Sequence, residues 1–552
     1  MPFEAHEQAV QAHEQAVQAH EQAVQGISRQ VKSFYERQKP FRIYHGSTNS
    51  TRTSHRRADN TIDTSHLSHV LSVDPNKRTA LVEPNVPMDQ LIKATLKHNL
   101  IPPVVMEFPG ITVGGGFSGT SGESSSFRYG AFDATMETIE IVLPDGTITR
   151  ASKTEKPDLF WGAASAFGTL GVVTLLEIQL RPAKKFVELH YRLSRTAAET
   201  ECKMRKACED AENDFVDGIV FDEHTALVCC GRLTDVMPPG ADKTRTFSKR
   251  KDPWFYIRAR EIGKDLVAKK TRMLKKIQVD GVQSLDDIDA AAAAAESLET
   301  VDYIPLVEYL FRYDRGGFWV GKYSFRYFLV PFNRITRCLL DRFMHTRVMY
   351  RAVHKSGLAD YYMVQDVGVP VDRATEFQAW LHDAFGIYPL WLCPLRIRRD
   401  EPNSAHGLHA RFADPDTPDL MNFGVWGPLL GRSRREVIEM NRALEMKVQE
   451  LNGKKWLYAH AYYTEEEFWR SYDRESYDAL RAKYKAGYLP SVYDKVKVDV
   501  DEDEARRKRS LGTRVRAALG DVWPLRGLRG FYGAVRGGDY LLGRRKEGKD
   551  RV

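Results

Sequence analysis

Between Gly110 and Gly130 the chain reads G-I-T-V-G-G-G-F-S-G-T-S-G-E-S-S-S-F-R-Y-G, with seven glycines and five serines. Glycine lets backbone N–H groups approach a pyrophosphate closely, and serine hydroxyls add donors, so the composition suits an anion cradle. Two other readings compete. Gly/Ser runs form flexible linkers, and the letters G-G-G-F-S-G at 114–119 satisfy the G-x-G-x-x-G of a dinucleotide-binding turn. That turn needs a hydrophobic strand before the first glycine, a helix opening inside the motif and an acidic residue about 20 positions on. Glu140 meets the last condition, but P-G-I-T precedes the motif and T-S-G-E-S-S-S, poor helix material, follows it. A linker is disfavoured by Ile111, Val113, Phe117, Phe127, Arg128 and Tyr129, and by its place inside one compact segment, where a long loop is more often functional. A second small-residue loop at 46–50 and a glycine pair, Gly168 and Gly171, would complete three strand-end loops around an extended dinucleotide.

The elements that must hold these loops are short and mixed. F-R-I-Y at 41–44 and T-A-L-V-E-P-N-V at 79–86 read as strands. Pro87 opens a helix with Met88, Leu91, Ile92 and Leu96 on one face. M-E-T-I-E-I-V-L-P-D-G-T-I-T-R at 136–150 is a hairpin around Asp145-Gly146, and V-V-T-L-L-E-I-Q-L at 172–180 is a buried strand. From 183 to about 500 the spacing predicts strands near 186–193 and 217–232 and a Lys/Arg-rich helix near 255–277, followed by aromatic-rich segments. An alanine run at 290–295 reads as an exposed helix or linker.

A-H-E-Q-A-V-Q occurs three times without change, at 5–11, 12–18 and 19–25. Three heptads with an alanine seam make a weak coiled coil. The last copy runs into a helix carrying Ile27, Val31 and Phe34, which the repeat is expected to lengthen. At 552 residues the chain exceeds one core. It has no apolar run of transmembrane length and no secretory leader, so it is expected not to be secreted. Six cysteines without a C-x-x-C pair read as reduced thiols and no metal site. The net charge of +7 is a tail property: residues 506–552 carry +10, leaving −3 for the rest. That tail interleaves cations with Leu511, Trp523, Leu528, Phe531, Tyr532 and other apolar residues. It suits an anionic membrane surface or a disordered solubilising tail; a nucleic-acid partner is not expected, since no matching basic face exists in the body.

The order H-G-S-T-N-S, V-G-G-G-F-S-G-T-S-G-E-S-S-S-F-R-Y-G, L-P-D-G, D-L-F-W and G-T-L-G-V-V-T resembles the FAD domain of the vanillyl-alcohol-oxidase/p-cresol-methylhydroxylase (PCMH) type. E-S-S-S-F-R-Y-G, V-Q-D-V-G-V-P (364–370), I-Y-P-L-W-L-C-P (387–394), K-W-L-Y-A-H-A-Y-Y-T-E-E-E-F-W (455–469) and Y-L-P-S-V-Y-D-K (488–495) are similar to the Δ24-sterol reductases, the Diminuto/seladin group. The resemblance covers roughly 27–497. It implies an α+β fold with a heptad-repeat helical extension at 1–26, a two-subdomain PCMH-type FAD-binding domain at 27–182, an α+β substrate (cap) domain at 183–498 and an acidic linker and basic tail at 499–552. Family members usually begin with a strand before the first helix; this protein starts at the repeat, and its first FAD subdomain is expected to lack that strand.

The resemblance implies FAD held by Gly46, Ser47, Thr48, Asn49 and Ser50; by Thr112, Val113, Gly114, Gly115, Gly116, Ser118, Gly119 and Thr120; by Glu123, Ser124, Ser125 and Tyr129; and by Gly168, Thr169, Gly171, Val172 and Val173. Asn49 stands where many relatives carry a flavin-linking histidine, which implies non-covalent FAD. The implied reaction is NADPH-driven reduction of an alkene bond in the side chain of a sterol or triterpenoid, at a membrane surface, on the cytoplasmic face of the endoplasmic reticulum or in the cytoplasm. Tyr458, His460 and Tyr462 share a face of an expected strand and are the candidate proton donors, with a structural histidine as the other reading of His460. Tyr388, Leu390, Trp391, Leu392, Trp456, Tyr458, Phe468 and Trp469 either line an apolar site or pack a core. Arg396 or Arg398 either holds the NADPH 2′-phosphate or lies on solvated surface. An FAD-linked oxidase acting on an alcohol or sugar with O2, and a degenerate flavoprotein acting as a binding protein, are the alternatives.

Overall fold

The computed structural model describes residues 2–46, 57–238, 244–279, 298–356, 361–397, 416–429, 431–500 and 525–536. The alanine run and the flanks of the basic tail lie outside these residues. Two antiparallel sheets organise the protein. The first has five strands in the order Val70–Asp74, Thr79–Val82, Val172–Gln179, Met136–Val142 and Ile148–Ser152. A small parallel pair, Arg42–Tyr44 with Thr61–Asp63, sits beside it. The second sheet has eight strands in the order Glu299–Pro305, Phe186–Ser194, Thr225–Thr234, Phe215–Asp222, Leu390–Leu395, Leu420–Pro428, Tyr362–Pro370 and Lys454–Lys455. The single strand expected at 217–232 is instead a hairpin, turned at Glu223-His224.

The second sheet is covered unequally, and its pleat explains why. Alternate side chains face opposite sides. Met363, Val367, Leu390, Leu392, Met421, Phe423 and Val425 face one way, against the helices Ala197–Glu209, Ala374–Phe385 and Arg434–Glu450. The residues of opposite parity, among them Asp366, Trp391, Asn422 and Trp426, face the first domain. After the sheet closes at Lys455 the backbone returns to that domain. There Tyr477 bonds Thr169, Tyr484 and Lys483 bond Asp158, and Lys485 bonds Asp145.

One helix, Pro2–Glu36, contains all three heptads and the segment after them. It packs Val24, Ile27, Val31 and Phe34 against Val142, Val172 and Leu489. The turn of the 136–152 hairpin touches it so closely that a Cβ on Gly146, at φ +89°, would sit 2.8 Å from Lys32 Cβ. The repeat does more than lengthen this helix. His20 is 6% exposed and bonds Glu83 at 2.8 Å and Glu140 at 3.3 Å, while His13, the same position one copy earlier, bonds only the Leu71 carbonyl. Burial opposes a charge on His20, but its hydrogen bonds to Glu140 and Glu83 more than offset this and raise its pKa to about 9. Glu83 and Glu140 are in turn held below the usual carboxylate range: burial works against ionisation, and the bonds from His20, joined by those of His69 to Glu83 and Thr174 to Glu140, outweigh it.

Removing one partner of a buried ion pair leaves the other charge uncompensated. His20→Ala is therefore expected to cost about 3 kcal/mol in denaturant-unfolding stability, and His13→Ala at most about 1 kcal/mol. The His20 contribution is fully present below its ordinary pKa of 6.5 and disappears as pH rises towards about 9. The contribution of the two carboxylates is lost as pH falls through their lowered values. Equal losses for the two histidines across this range would show that the ion triad contributes nothing.

Candidate active site

The glycine-rich stretch is a helix, Val113–Gly119, where the sequence suggested none. Glycine costs a helix interior about 1 kcal/mol per residue relative to alanine, so capping and packing must hold it. The Thr112 hydroxyl caps it by accepting from Gly115 N–H at 3.1 Å. Val113, Gly116 and Phe117 form its buried face. A Cβ at Gly116 would lie 2.3 Å from Met106 Cε and 2.8 Å from Phe132 Cδ1, so glycine is required there by packing. Thr112, Gly115, Ser118 and Gly119, spaced three and four apart, form the opposite face and wall a cavity of about 350 Å³. At the helix C-terminus the Lys454 ammonium bonds the Thr120 hydroxyl and Trp456 Nε1 bonds its carbonyl, pinning the edge of the second sheet there.

The cavity runs between the two domains. At one end it is walled by Arg42, Ile43, His45, Thr64, Asn85, Gly168, Gly171, Val172 and Val173. Gly168 and Gly171 have positive φ, and a Cβ on either would collide with Ile43 or the Val142 carbonyl. At the other end stand Glu107, Phe108, Glu123, Tyr350, Asp366, Trp391, Asn422, Trp426, Trp456 and Tyr458. Here the pleat leaves room: Gly424 lies opposite both Asp366 and Trp391, and a Cβ on it would be 3.2 Å from each.

This second end is rich in buried carboxyl groups. Burial raises the Asp366 pKa to about 6, against hydrogen bonds from Tyr458 Oη at 2.5 Å and Asn422 Nδ2 at 3.2 Å. Burial, then the Asp366 charge, pushes the Tyr458 phenol well above its ordinary value. Glu107 and Glu123 are both 6% exposed and hydrogen-bonded to each other. Burial raises both, and Glu123 is raised further by the Glu107 charge, so the pair is held away from double ionisation. Behind the wall, Asp217 accepts from Arg312 at 2.7 Å, Tyr313 at 2.9 Å and Trp391 at 3.2 Å.

Of the residues singled out for FAD, Thr112, Gly114, Gly115, Ser118, Gly119, Glu123, Gly168, Gly171, Val172 and Val173 line this cavity. The others are placed elsewhere. Ser47, Thr48, Asn49 and Ser50 lie outside the described residues. Gly46 sits against Ser65, beside the wall rather than on it. Val113, Gly116 and Thr120 hold the helix in the core, as above. Ser124 and Ser125 stitch segments together, through Val216 N–H to the Ser124 carbonyl and Ser125 Oγ to the Pro103 carbonyl. Tyr129 lies under the Arg181 guanidinium, and Thr169 bonds Tyr477. The glycine helix presents a face with almost no side chains, open enough that a Cβ at Gly119 would meet nothing nearer than Ser121 Oγ at 3.6 Å. That face fits the flat, extended body of a dinucleotide.

Tyr458, Trp391 and Trp456 are on the cavity wall. His460 and Tyr462 are not, because no strand runs from 455 to 463: the strand ends at Lys455 and the backbone turns at 457–459. The His460 carbonyl is held by Lys455 and Gln365, and the Tyr462 amide by Glu445. Leu390, Leu392 and Tyr388 belong to the far face of the second sheet, and Phe468 and Trp469 to a separate cluster. Arg396 is exposed and off the cavity, and Arg398 lies outside the described residues. Sequence reading missed Glu107, Asp366, Asn422, Tyr350 and Trp426; the V-Q-D-V-G-V-P segment held Asp366, but nothing marked it as more than a strand.

Gly116 and Gly119 separate packing from binding. Gly116→Ala is expected to cost about 1–3 kcal/mol of stability, read by thermal unfolding. Gly119→Ala is expected to leave stability unchanged and to weaken flavin retention, read by absorbance of the purified protein. The opposite pattern would put the cradle on the wrong helix face.

The model of an FAD binding domain matches residues 19–152, from the third heptad through the 136–152 hairpin. The Delta(24)-sterol reductase of Homo sapiens is 28% identical over 444 residues, 78% of this chain and 76% of that protein. That of Arabidopsis thaliana is 29% identical over 468 residues, covering 79% and 76%. A Delta(24)-sterol reductase homolog of Caenorhabditis elegans is 27% identical over 454 residues, covering 79% and 78%. The similarity to these reductases covers about four-fifths of the chain, far more than the 19–152 match, and so reaches beyond the glycine helix into the second domain.

Proposed function

We propose that this protein reduces an isolated alkene bond in the side chain of a sterol or related triterpenoid, with NADPH as electron donor and non-covalently bound FAD as carrier. The observation that carries this reading is the Asp366–Tyr458 pair, buried among Trp391, Trp426 and Trp456 in the same cavity as the glycine cradle. An unactivated alkene has no carbonyl to accept electron density, so its reduction calls for proton donation to one carbon and hydride to the other. FAD, when bound and reduced, supplies the hydride. The protein's own residues hold the proton and exclude water.

With Asp366 ionised, the Tyr458 proton points at its carboxylate. With Asp366 protonated, the carboxyl donates to the phenol oxygen and frees the Tyr458 proton for the alkene. The π pair forms the new C–H bond and leaves positive charge on the more substituted carbon. Aromatic faces on the cavity wall stabilise that charge before hydride arrives. The apolar walls suit a hydrocarbon with few polar handles. Peripheral association with the cytoplasmic face of the endoplasmic reticulum, through residues 499–552, belongs to the same reading.

Anaerobic NADPH should bleach the flavin, and a Δ24-unsaturated sterol should restore its colour while gaining two hydrogens by mass spectrometry. Flavin reoxidised by O2 but not by the sterol would sink the assignment. Tyr458→Phe is expected to slow sterol-dependent reoxidation about 10²–10⁴-fold while leaving reduction by NADPH unchanged; His460→Ala should change neither. Because the active form is the protonated acid, the reoxidation rate is full below pH about 6 and falls above it. Asp366→Asn should abolish that dependence.

A further inference from the structure

Five of the eight large apolar side chains exposed among the described residues fall in two stretches: Leu329, Ile335 and Leu339, and Leu528 and Tyr532. Ile335 and Leu339 are one turn apart on the helix Arg334–Leu340. The two stretches adjoin. Gly527 packs so tightly that a Cβ on it would lie 2.3 Å from Tyr327 Cε1 and 2.7 Å from Phe328 Cζ, next to Leu329. Leu329, Ile335 and Leu339 are 73%, 71% and 66% exposed, far beyond what scattered surface apolar residues require.

The charge around them is of one sign. Between Val320 and Ser356 the sequence has eight Lys/Arg and a single acid, Asp341, which is buried in an ion pair with Arg315. Lys322, Arg326, Arg334 and Arg342 are exposed. Leu525–Arg536 adds three arginines and no acid. Lys322, though its side chain reaches solvent, is held below its ordinary pKa by partial burial and then by the nearby Arg260 and Arg326. Among the described residues no helix is long and apolar enough to cross a bilayer.

We propose that Val320–Tyr327, Arg334–Leu340 and Leu525–Arg536 form a docking face for an anionic lipid bilayer, inserting Leu329, Ile335, Leu339, Leu528 and Tyr532 at the interface while the cations meet the headgroups. The placement has a functional consequence. Helix Thr346–Ser356 packs against Leu525–Arg536 and also carries Tyr350, which walls the Asp366 end of the cavity. One helix, about 10 Å across, thus separates the docking face from the substrate end, and an apolar substrate passes from bilayer to cavity without crossing water. Only this last step rests on the sterol reading.

The test uses the full flavin-loaded protein. It should float with phosphatidylcholine vesicles containing phosphatidylserine, and bind more than about tenfold more weakly to phosphatidylcholine alone or at 0.5 M NaCl, where charge attraction is screened. Leu329→Asp/Ile335→Asp/Leu339→Asp should lose binding to the phosphatidylserine vesicles by more than about tenfold, with flavin content and melting temperature unchanged. The same variant should turn over vesicle-borne sterol poorly and cyclodextrin-solubilised sterol normally. Equal vesicle binding by variant and parent overturns the proposal. So does a dimer that the variant disperses without any lipid binding. Vesicle binding that follows the pattern while neither protein reduces sterol upholds the docking face and refutes only the substrate.

Discussion

Arg312 is 3% exposed and Asp217 fully buried, and the 2.7 Å bond between them constrains much of what surrounds the cavity. A guanidinium so deep is tolerable only while paired. Tyr309 and Tyr313 stack on it at 4.1 and 4.6 Å, so the pair also fixes the start of the segment that runs to Ser356. Three residues on, Arg315 repeats the device, bonding Asp341 and the carbonyls of Phe247 and Asp252. Asp217 spends a further acceptor site on Trp391, orienting that indole on the cavity wall. The Arg312 charge also reaches Glu107 and Glu123, where it opposes the rise that burial imposes. The aromatic wall, the carboxyl pair and the cationic outer face thus share one buried anchor.

The same physics that makes Arg312 need a partner sets the charge of the carboxyl groups in the cavity. In water Asp366, Glu107 and Glu123 would all ionise at neutral pH. Removed from water, Asp366 moves towards neutrality, and the two glutamates cannot both stay charged. The pleat places these groups with economy: Asp366, Trp391, Asn422 and Trp426 all have the inward parity of their strands, and the outward parity is spent on Met, Phe, Leu and Val against three helices. Gly424 and Gly368 interrupt the inward face where a side chain would fill the space.

Local pattern made the first domain largely legible. Alternation and turn chemistry located the 136–152 hairpin, the strand at 172–179 and the helix after Pro87, because each is decided by neighbours in sequence. The glycine helix was not legible, since propensity opposes it and its packing against Met106 and Phe132 and its bonds from the far-off Lys454 and Trp456 leave no local signal. Extending the Lys454–Lys455 strand to 463 misplaced His460 and Tyr462 for a related reason: aromatic-rich sequence looks the same along a strand or around a turn. Asp366 was invisible because a lone acid in an apolar strand acquires its meaning only from what lies across the sheet. Nothing in the sequence sets Leu329, Ile335 and Leu339 apart, because their exposure is decided by the fold around them.

That the cradle is a helix unsuited to standing alone couples the two domains. Its terminal residue Thr120 is bonded by both Lys454 and Trp456, and the segment just beyond it is stitched to the second sheet through Ser124–Val216 and Ser126–Arg396. Burial lowers the Lys454 pKa to about 8, while the charge of Asp133 favours the ammonium, which sits at the negative end of the helix dipole against the Thr120 hydroxyl. The bare face of the helix is therefore held by contacts from the second sheet. The same packing buries the Asp366 end and raises its pKa, so the bare helix face and the shifted carboxyl arise from one packing event rather than from two independent sites.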